Sequence, residues 1–136
     1  MKKNLILVFL LILVFTAGCS VSGPAVDTEK SSPAFHQISQ EEAKVMMAKD
    51  DGHVVVDVRR QDEYDAGHIP GAILVPNESI GCDSPEALLD YDQIILIYCR
   101  SGNRSKQAAQ KLASMGYTNI YEFGGITTWT GDVVTD

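Results

Sequence analysis

Positive charge is scarce in this 136-residue chain: eleven lysines and arginines stand against eighteen aspartates and glutamates, a net of −7. An acidic balance argues against a nucleic-acid partner, which needs a basic face, and it makes any local cluster of cations conspicuous. Histidine is scarcer still. His36, His53 and His68 are the only three, and none pairs at a metal-ligand spacing, so neither a metal nor a cofactor is expected. There are five prolines, no internal repeat and no low-complexity tract, which leaves an ordinary globular composition with 45% hydrophobic and 21% charged residues. Long apolar runs are missing too. The longest, "LILVFLLILVF" at 5–15, has eleven residues, short of the roughly 20 that cross a bilayer as a helix.

That run follows Met1, Lys2 and Lys3, a positive start, and precedes Thr16, Ala17, Gly18 and Cys19. A charged start, a short apolar core and small residues form the pattern of an export signal. "TAGC" resembles a bacterial lipobox, although Thr16 stands where such boxes usually carry leucine. The resemblance implies cleavage after residues 1–18, a lipid on Cys19, and a protein exported and held at a bacterial membrane, outside the cytoplasm, through that lipid alone. The alternative is an ordinary secretory signal with Cys19 a bystander. Residues 19–34 continue as "CSVSGPAVDTEKSSPA", small, polar and without apolar period, the composition of a flexible tether. Loss of residues 1–18 removes two lysines and no acid, leaving nine cations against eighteen anions, a net of −9.

Residues 35–136 suffice for one small core. Ser39 and Glu42 have capping-box spacing, and "EEAKVMMAKD" predicts a helix with Val45, Met46 and Ala48 inward. "HVVVDV", "AILVP", "QIILIY" and "NIYEF" are short apolar runs and predict four strands. Between the first two lies a polar turn or short helix, "RRQDEYDAG". Ser84 and Pro85 predict a helix start at "PEALLD". "RSKQAAQKLASMGY" predicts the best-specified helix, with Gly116 as its C-cap, and "GGITTW" a closing turn or helix. Strands alternating with helices, and reading as continuous apolar runs, predict an α/β fold: a small parallel sheet with helices on both faces.

The site candidate is the six-residue stretch Cys99, Arg100, Ser101, Gly102, Asn103 and Arg104. It lies between a buried strand and a strong helix. Ligands of open α/β sheets bind beyond the carboxyl ends of strands, and a helix start offers N–H groups and positive dipole to an anion. Gly102 allows a tight curl. Arg100, Arg104 and Lys106 gather three cations on an acidic protein. A thiol in such surroundings is held as a thiolate, with a pKa of about 3.5–7.5 in known cases. The bland reading is that Cys99 is a small core hydrophobe; the coincidence of strand end, glycine loop and helix start on one thiol favours a nucleophile.

"CRSGNRS" resembles the active-site loop of the rhodanese family, the single-domain sulfurtransferases. "DVRRQDEYDAGHIPGAILVP" resembles the family's segment around Gly-His-Ile-Pro-Gly-Ala, and "YTNIYEFGGITTW" its closing segment, which here ends sooner after Trp129 than in many members. The resemblance implies a rhodanese-like domain over residues 35–136. Its Cys99 would take a sulfane sulfur from a donor such as thiosulfate, becoming a persulfide, and pass it to a thiol or cyanide-like acceptor. Arg100, Ser101, Gly102, Asn103 and Arg104 would bind the anionic donor, with Asp57 and Arg59 as supports. His68 is expected to satisfy backbone groups in a turn, and Trp129, Tyr121 and the methionines to pack. No second subunit is called for, so a monomer is expected.

Two further readings stand beside it. Phosphatases and arsenate reductases on the same fold place five residues between cysteine and arginine; here there are four, Arg100 to Asn103. Non-catalytic rhodanese-like modules usually lack the cysteine, which this chain keeps. Cys82 lies in the loop after the second strand run and is expected to be a spectator, not a resolving thiol or a disulfide partner of Cys99.

Overall fold

The computed structural model describes residues 34–135; the expected export signal, Cys19 and nearly all of the expected tether lie outside the described residues. Five strands form, β1 (His36–Gln37), β2 (Val54–Asp57), β3 (Ala72–Leu74), β4 (Ile94–Cys99) and β5 (Asn119–Gly125). Three α-helices accompany them, α1 (Gln40–Met47), α2 (Gln61–Asp65) and α3 (Asn103–Met115). The sheet order is β1-β5-β4-β2-β3, and every neighbouring pair is parallel. The four apolar runs thus become strands as expected. β1 is the addition: two exposed polar residues carry no periodic signal, and they join the sheet only because the edge of β5 is open to pairing.

Alternation along β4 divides the core. Ile95, Ile97 and Cys99 face Ala108, Ala109 and Leu112 of α3, together with Val56, Ile120 and Leu88. Leu96 and Tyr98 face Ala43 of α1, with Val55, Ile69, Ala72 and Phe123. Each face of the sheet is therefore covered by a helix. Ile95, Leu96 and Ile97 are wholly buried, and burial of such side chains contributes about 1.5–3 kcal/mol each. β4 is the rigid centre, and its last residue is the cysteine.

The helix starts follow the expected chemistry, with two corrections. At α1 the Ser39 N–H donates to Glu42 Oε2 at 2.8 Å and the Glu42 N–H donates to Ser39 Oγ at 3.2 Å, a reciprocal cap. Its inward stripe is Ala43, Met46 and Met47, at i, i+3 and i+4; Val45 and Ala48, expected inside, fall outside it, and Val45 is 64% exposed. "PEALLD" is a single turn and not a helix: the Leu88 N–H reaches Pro85 O, after which Leu88 is buried and its carbonyl accepts from the Tyr117 hydroxyl. A six-residue segment gains too few bonds to offset helix nucleation, and here a tertiary partner takes the carbonyl instead.

Near the site the ladder is irregular. Ile97 pairs with Glu122, but Cys99 pairs with Gly125, so β5 carries one extra residue opposite the end of β4. Such a bulge re-aims the chain at a sheet rim. Beyond it a short 3-10 turn, Ile126–Thr128, leads to Trp129, whose ring packs near Phe123. The chain then returns to a single antiparallel bridge between His68 and Val134.

Candidate active site

Cys99 ends β4 at the carboxyl edge of the sheet, and the four residues after it curl back so that the Gly102 N–H donates to Cys99 Sγ at 3.0 Å. The curl requires φ = +100° at Gly102, a conformation side chains rarely adopt. Gly102 is also the N-cap of α3, so three turns of helix direct their positive end at the sulfur. Burial pushes the Cys99 thiol up, but the Ser105 hydroxyl and the N–H groups of Ser105, Gly102 and Ser101 act on it together and hold it below its ordinary value. Hydrogen bonds to the charged form stabilise a thiolate. Arg100, Ser101 and Asn103 are exposed around this sulfur, while Gly102 and Ser105 are buried beneath it.

The loop rests on the bulged end of β5. A methyl group at Gly125 would lie 2.1 Å from the Arg100 carbonyl oxygen, so only glycine lets the two backbones pass. The same carbonyl accepts from the Thr127 N–H at 3.2 Å and the Thr127 hydroxyl at 2.9 Å. Below, the Ser105 hydroxyl donates to Glu122 Oε1 at 2.6 Å, and that oxygen also accepts the Gly124 N–H at 2.9 Å. Ser105 and Glu122 were not singled out from sequence. The available signals were a hydroxyl in the first helical turn after the cysteine loop and a lone acid inside the apolar run "NIYEF".

Arg104 and Glu63 meet across the mouth. Nη1 and Nη2 of Arg104 donate to the two Glu63 oxygens at 2.6 and 2.8 Å, a bidentate pair between α3 and α2. The guanidinium holds the Glu63 carboxyl down at about 2, and the Arg60 N–H adds to this. Of the three cations clustered in sequence, Arg100 and Lys106 are exposed, and Arg104 is committed to a carboxylate.

Asp57 and Arg59 form a buried support. The Arg59 Nε and Nη2 donate to Asp57 at 2.6–3.0 Å, Nη2 also donates to the Gly67 carbonyl at 2.7 Å, and the Tyr98 hydroxyl donates to Asp57 Oδ2 at 2.7 Å. The Ile69 N–H in turn donates to the Tyr98 oxygen. The cluster joins the end of β2 to the residue preceding Cys99, and every buried charge in it has a partner, as burial demands. His68 stacks on Tyr64 at 3.7 Å, with Nδ1 3.0 Å from the Tyr64 carbonyl. Cys82 is exposed and lines a groove with Gln110, Lys111, Ser114 and Met115 in the far half of α3. At 1.5 Å per residue those positions are roughly 12–20 Å from the helix start that meets Cys99.

The model of the rhodanese-like domain matches residues 39–132. Among curated proteins, the thiosulfate sulfurtransferase GlpE of Pseudomonas entomophila (strain L48) is 40% identical over 96 residues, covering 70% of this chain and 84% of its own. The protein of the same name from Pseudoalteromonas translucida (strain TAC 125) is 36% identical over 97 residues, covering 71% of this chain and 90% of its own. Among solved structures, a rhodanese with anions from E. coli superimposes with a TM-score of 0.57 at 30% identity, over 62% of this chain and 99% of that one. A rhodanese-like domain protein from Staphylococcus aureus gives 0.63 at 28% identity, over 75% and 99%. A five-stranded parallel sheet, a cysteine loop closed on α3 and a family match spanning nearly all the described residues agree: the chain belongs to the rhodanese-like domain family.

Proposed function

We propose that the protein is a thiosulfate-type sulfurtransferase working through a persulfide on Cys99. The observation that carries this reading is the Gly102 N–H on the Cys99 sulfur at 3.0 Å at the start of a thirteen-residue helix. The thiolate attacks the outer sulfur of thiosulfate; a new S–S bond forms, the old one breaks, and sulfite leaves with the electron pair. Cysteine then carries Cys–S–S⁻, whose terminal anion is held by the backbone donors of Ser101, Gly102, Asn103 and Arg104 and by the helix dipole. Cyanide or an acceptor thiolate attacks that outer sulfur and restores the Cys99 thiolate. No proton needs to move in either step when the attacking groups are anions, so no histidine base is required. Arg100, exposed at the rim, draws in the anionic donor, and Asp57 and Arg59 fix the strand end through Tyr98. With only 1% of Cys99 accessible, a donor has to present its sulfur at the tip of a slim group.

The test is intact mass after thiosulfate treatment. One added sulfur atom on the wild type, removed by cyanide as thiocyanate and missing in Cys99→Ser, is the expected result; thiocyanate formation by that variant at the wild-type rate would sink the mechanism. The lipobox pattern and the tether composition support a second part of the proposal. The domain, a monomer with neither metal nor cofactor, is exported and held at a bacterial membrane by lipid on Cys19. Wild type is expected in the detergent phase of a membrane extraction and Cys19→Ala in the aqueous phase; recovery of both in the aqueous phase refutes the anchor.

A further inference from the structure

Sequence gathers three cations at the cysteine loop, yet the folded loop does not present three. Arg104 follows by two residues the Gly102 N–H that meets the Cys99 sulfur, whose charge acts on it, and both its terminal nitrogens are held by the two Glu63 oxygens at 2.6 and 2.8 Å. Among the described residues, the other hydrogen bond Glu63 accepts is from the Arg60 N–H, at 3.2 Å, which caps the start of its own short helix. The pair is three-quarters buried on both sides, 25% and 23% exposed, so water screens it incompletely. A fixed carboxylate at the mouth of a site for anions opposes the ligand. Its cost rises with each negative charge the ligand brings.

We propose that Glu63 is a specificity-determining residue: by occupying and neutralising Arg104 it tunes the Cys99 loop toward singly charged sulfane donors, of the persulfide or thiosulfonate class, and holds down the use of dianions such as thiosulfate. The proposal rests on the sulfurtransferase reading for its chemistry. A singly charged donor reacts as thiosulfate does: with methanethiosulfonate, the Cys99 thiolate takes the outer sulfur, the S–S bond to the sulfonyl sulfur breaks, and methanesulfinate leaves with the electron pair. Charge and atoms balance in both reactions, and the two donors differ by one charge beside the same transferable sulfur.

The experiment compares thiosulfate and methanethiosulfonate as donors to cyanide in wild type, Glu63→Gln, and the double variant Glu63→Gln/Arg104→Gln. Glutamine keeps an acceptor for Arg60 and for one arginine N–H, and removes the charge. In Glu63→Gln, kcat/KM is expected to rise for both donors, with an extra gain for thiosulfate of about fivefold at low ionic strength, the effect of one more unit charge at partly screened range. That extra gain should shrink in 0.5 M salt, and the double variant, with both charges gone, should return to the wild-type donor ratio. Equal changes for the two donors would mean that Glu63 only shapes the loop, and the proposal falls. A second readout does not depend on turnover: protection of Cys99 from iodoacetamide by sulfate should be several-fold stronger in Glu63→Gln than in wild type. If neither donor yields thiocyanate in the wild type, the sulfurtransferase reading fails, while the sulfate result still decides the role of Glu63. Unchanged protection overturns it.

Discussion

At the scale of single residues the site is a balance around one sulfur. Burial works against the Cys99 thiolate, and Ser105 with the loop N–H groups outweighs burial. Removing the Ser105 hydroxyl should therefore raise the thiol pKa. Ser105→Ala is expected to shift the midpoint of the pH profile for Cys99 alkylation upward, the hydroxyl proton being shared between Glu122 and the thiolate; an unmoved midpoint would show that the proton stays on Glu122 and the backbone donors suffice. Much of this balance was legible in sequence. Cys99 at a strand end, Gly102 in the loop and cations nearby announced an anion-stabilised thiol. Ser105 was not legible, because a serine in the first helical turn is as often a local cap as a functional donor. Nor was the fate of Arg104: its partner lies forty-one residues earlier, and charge pairing across that separation exists only after α3 and α2 are brought together.

At the scale of elements, contacts between segments carry the loop. Gly125 illustrates the constraint. An added methyl group would sit 2.1 Å from the Arg100 carbonyl, so Gly125→Ala must push the cysteine loop off β5. It is expected to cost about 1–3 kcal/mol, the range for forced overpacking, read as a lower urea midpoint with slowed Cys99 alkylation. A variant as stable and reactive as wild type would contradict the close approach. The α2–α3 ion pair makes a pH-dependent contribution. Glu63 folds with a depressed pKa of about 2, against an ordinary value of about 4.3. Its stabilisation is thus present above the unfolded value and is lost as pH falls toward the folded one. The gap in urea midpoint between wild type and Glu63→Gln should be constant from pH 7 to about 5 and narrow between about pH 4.5 and 2; a gap undiminished at pH 2.5 would exclude the pair as its source. Element identity was readable where patterns were long, as in α3 with its Gly116 cap. It failed where they were short: "PEALLD" had a start signal but no length to propagate, and β1 is two polar residues whose pairing depends on the β5 edge.

At the scale of the whole molecule, the arrangement separates the two cysteines of the described residues. Cys82 emerges from the loop after β3, at the same sheet edge as Cys99, but settles along the far half of α3. A disulfide requires Cα atoms within about 7 Å, and the helix intervenes. Cys82→Ser is expected to keep thiosulfate–cyanide turnover within about twofold of wild type, well inside the range of neutral surface changes, and a non-reducing peptide map of the oxidised protein should lack a Cys82–Cys99 bridge; finding one would require α3 to unpack.

Parallel strands also give the molecule a front and a back. All five run the same way; Cys99 stands at the carboxyl edge, and β1 joins the sheet midway, with His36 level with Leu96. The chain thus joins the sheet about 10 Å behind the reactive sulfur, which opens at the front. Donors and acceptors reach the sulfur from that front edge, the one toward which all five strands run.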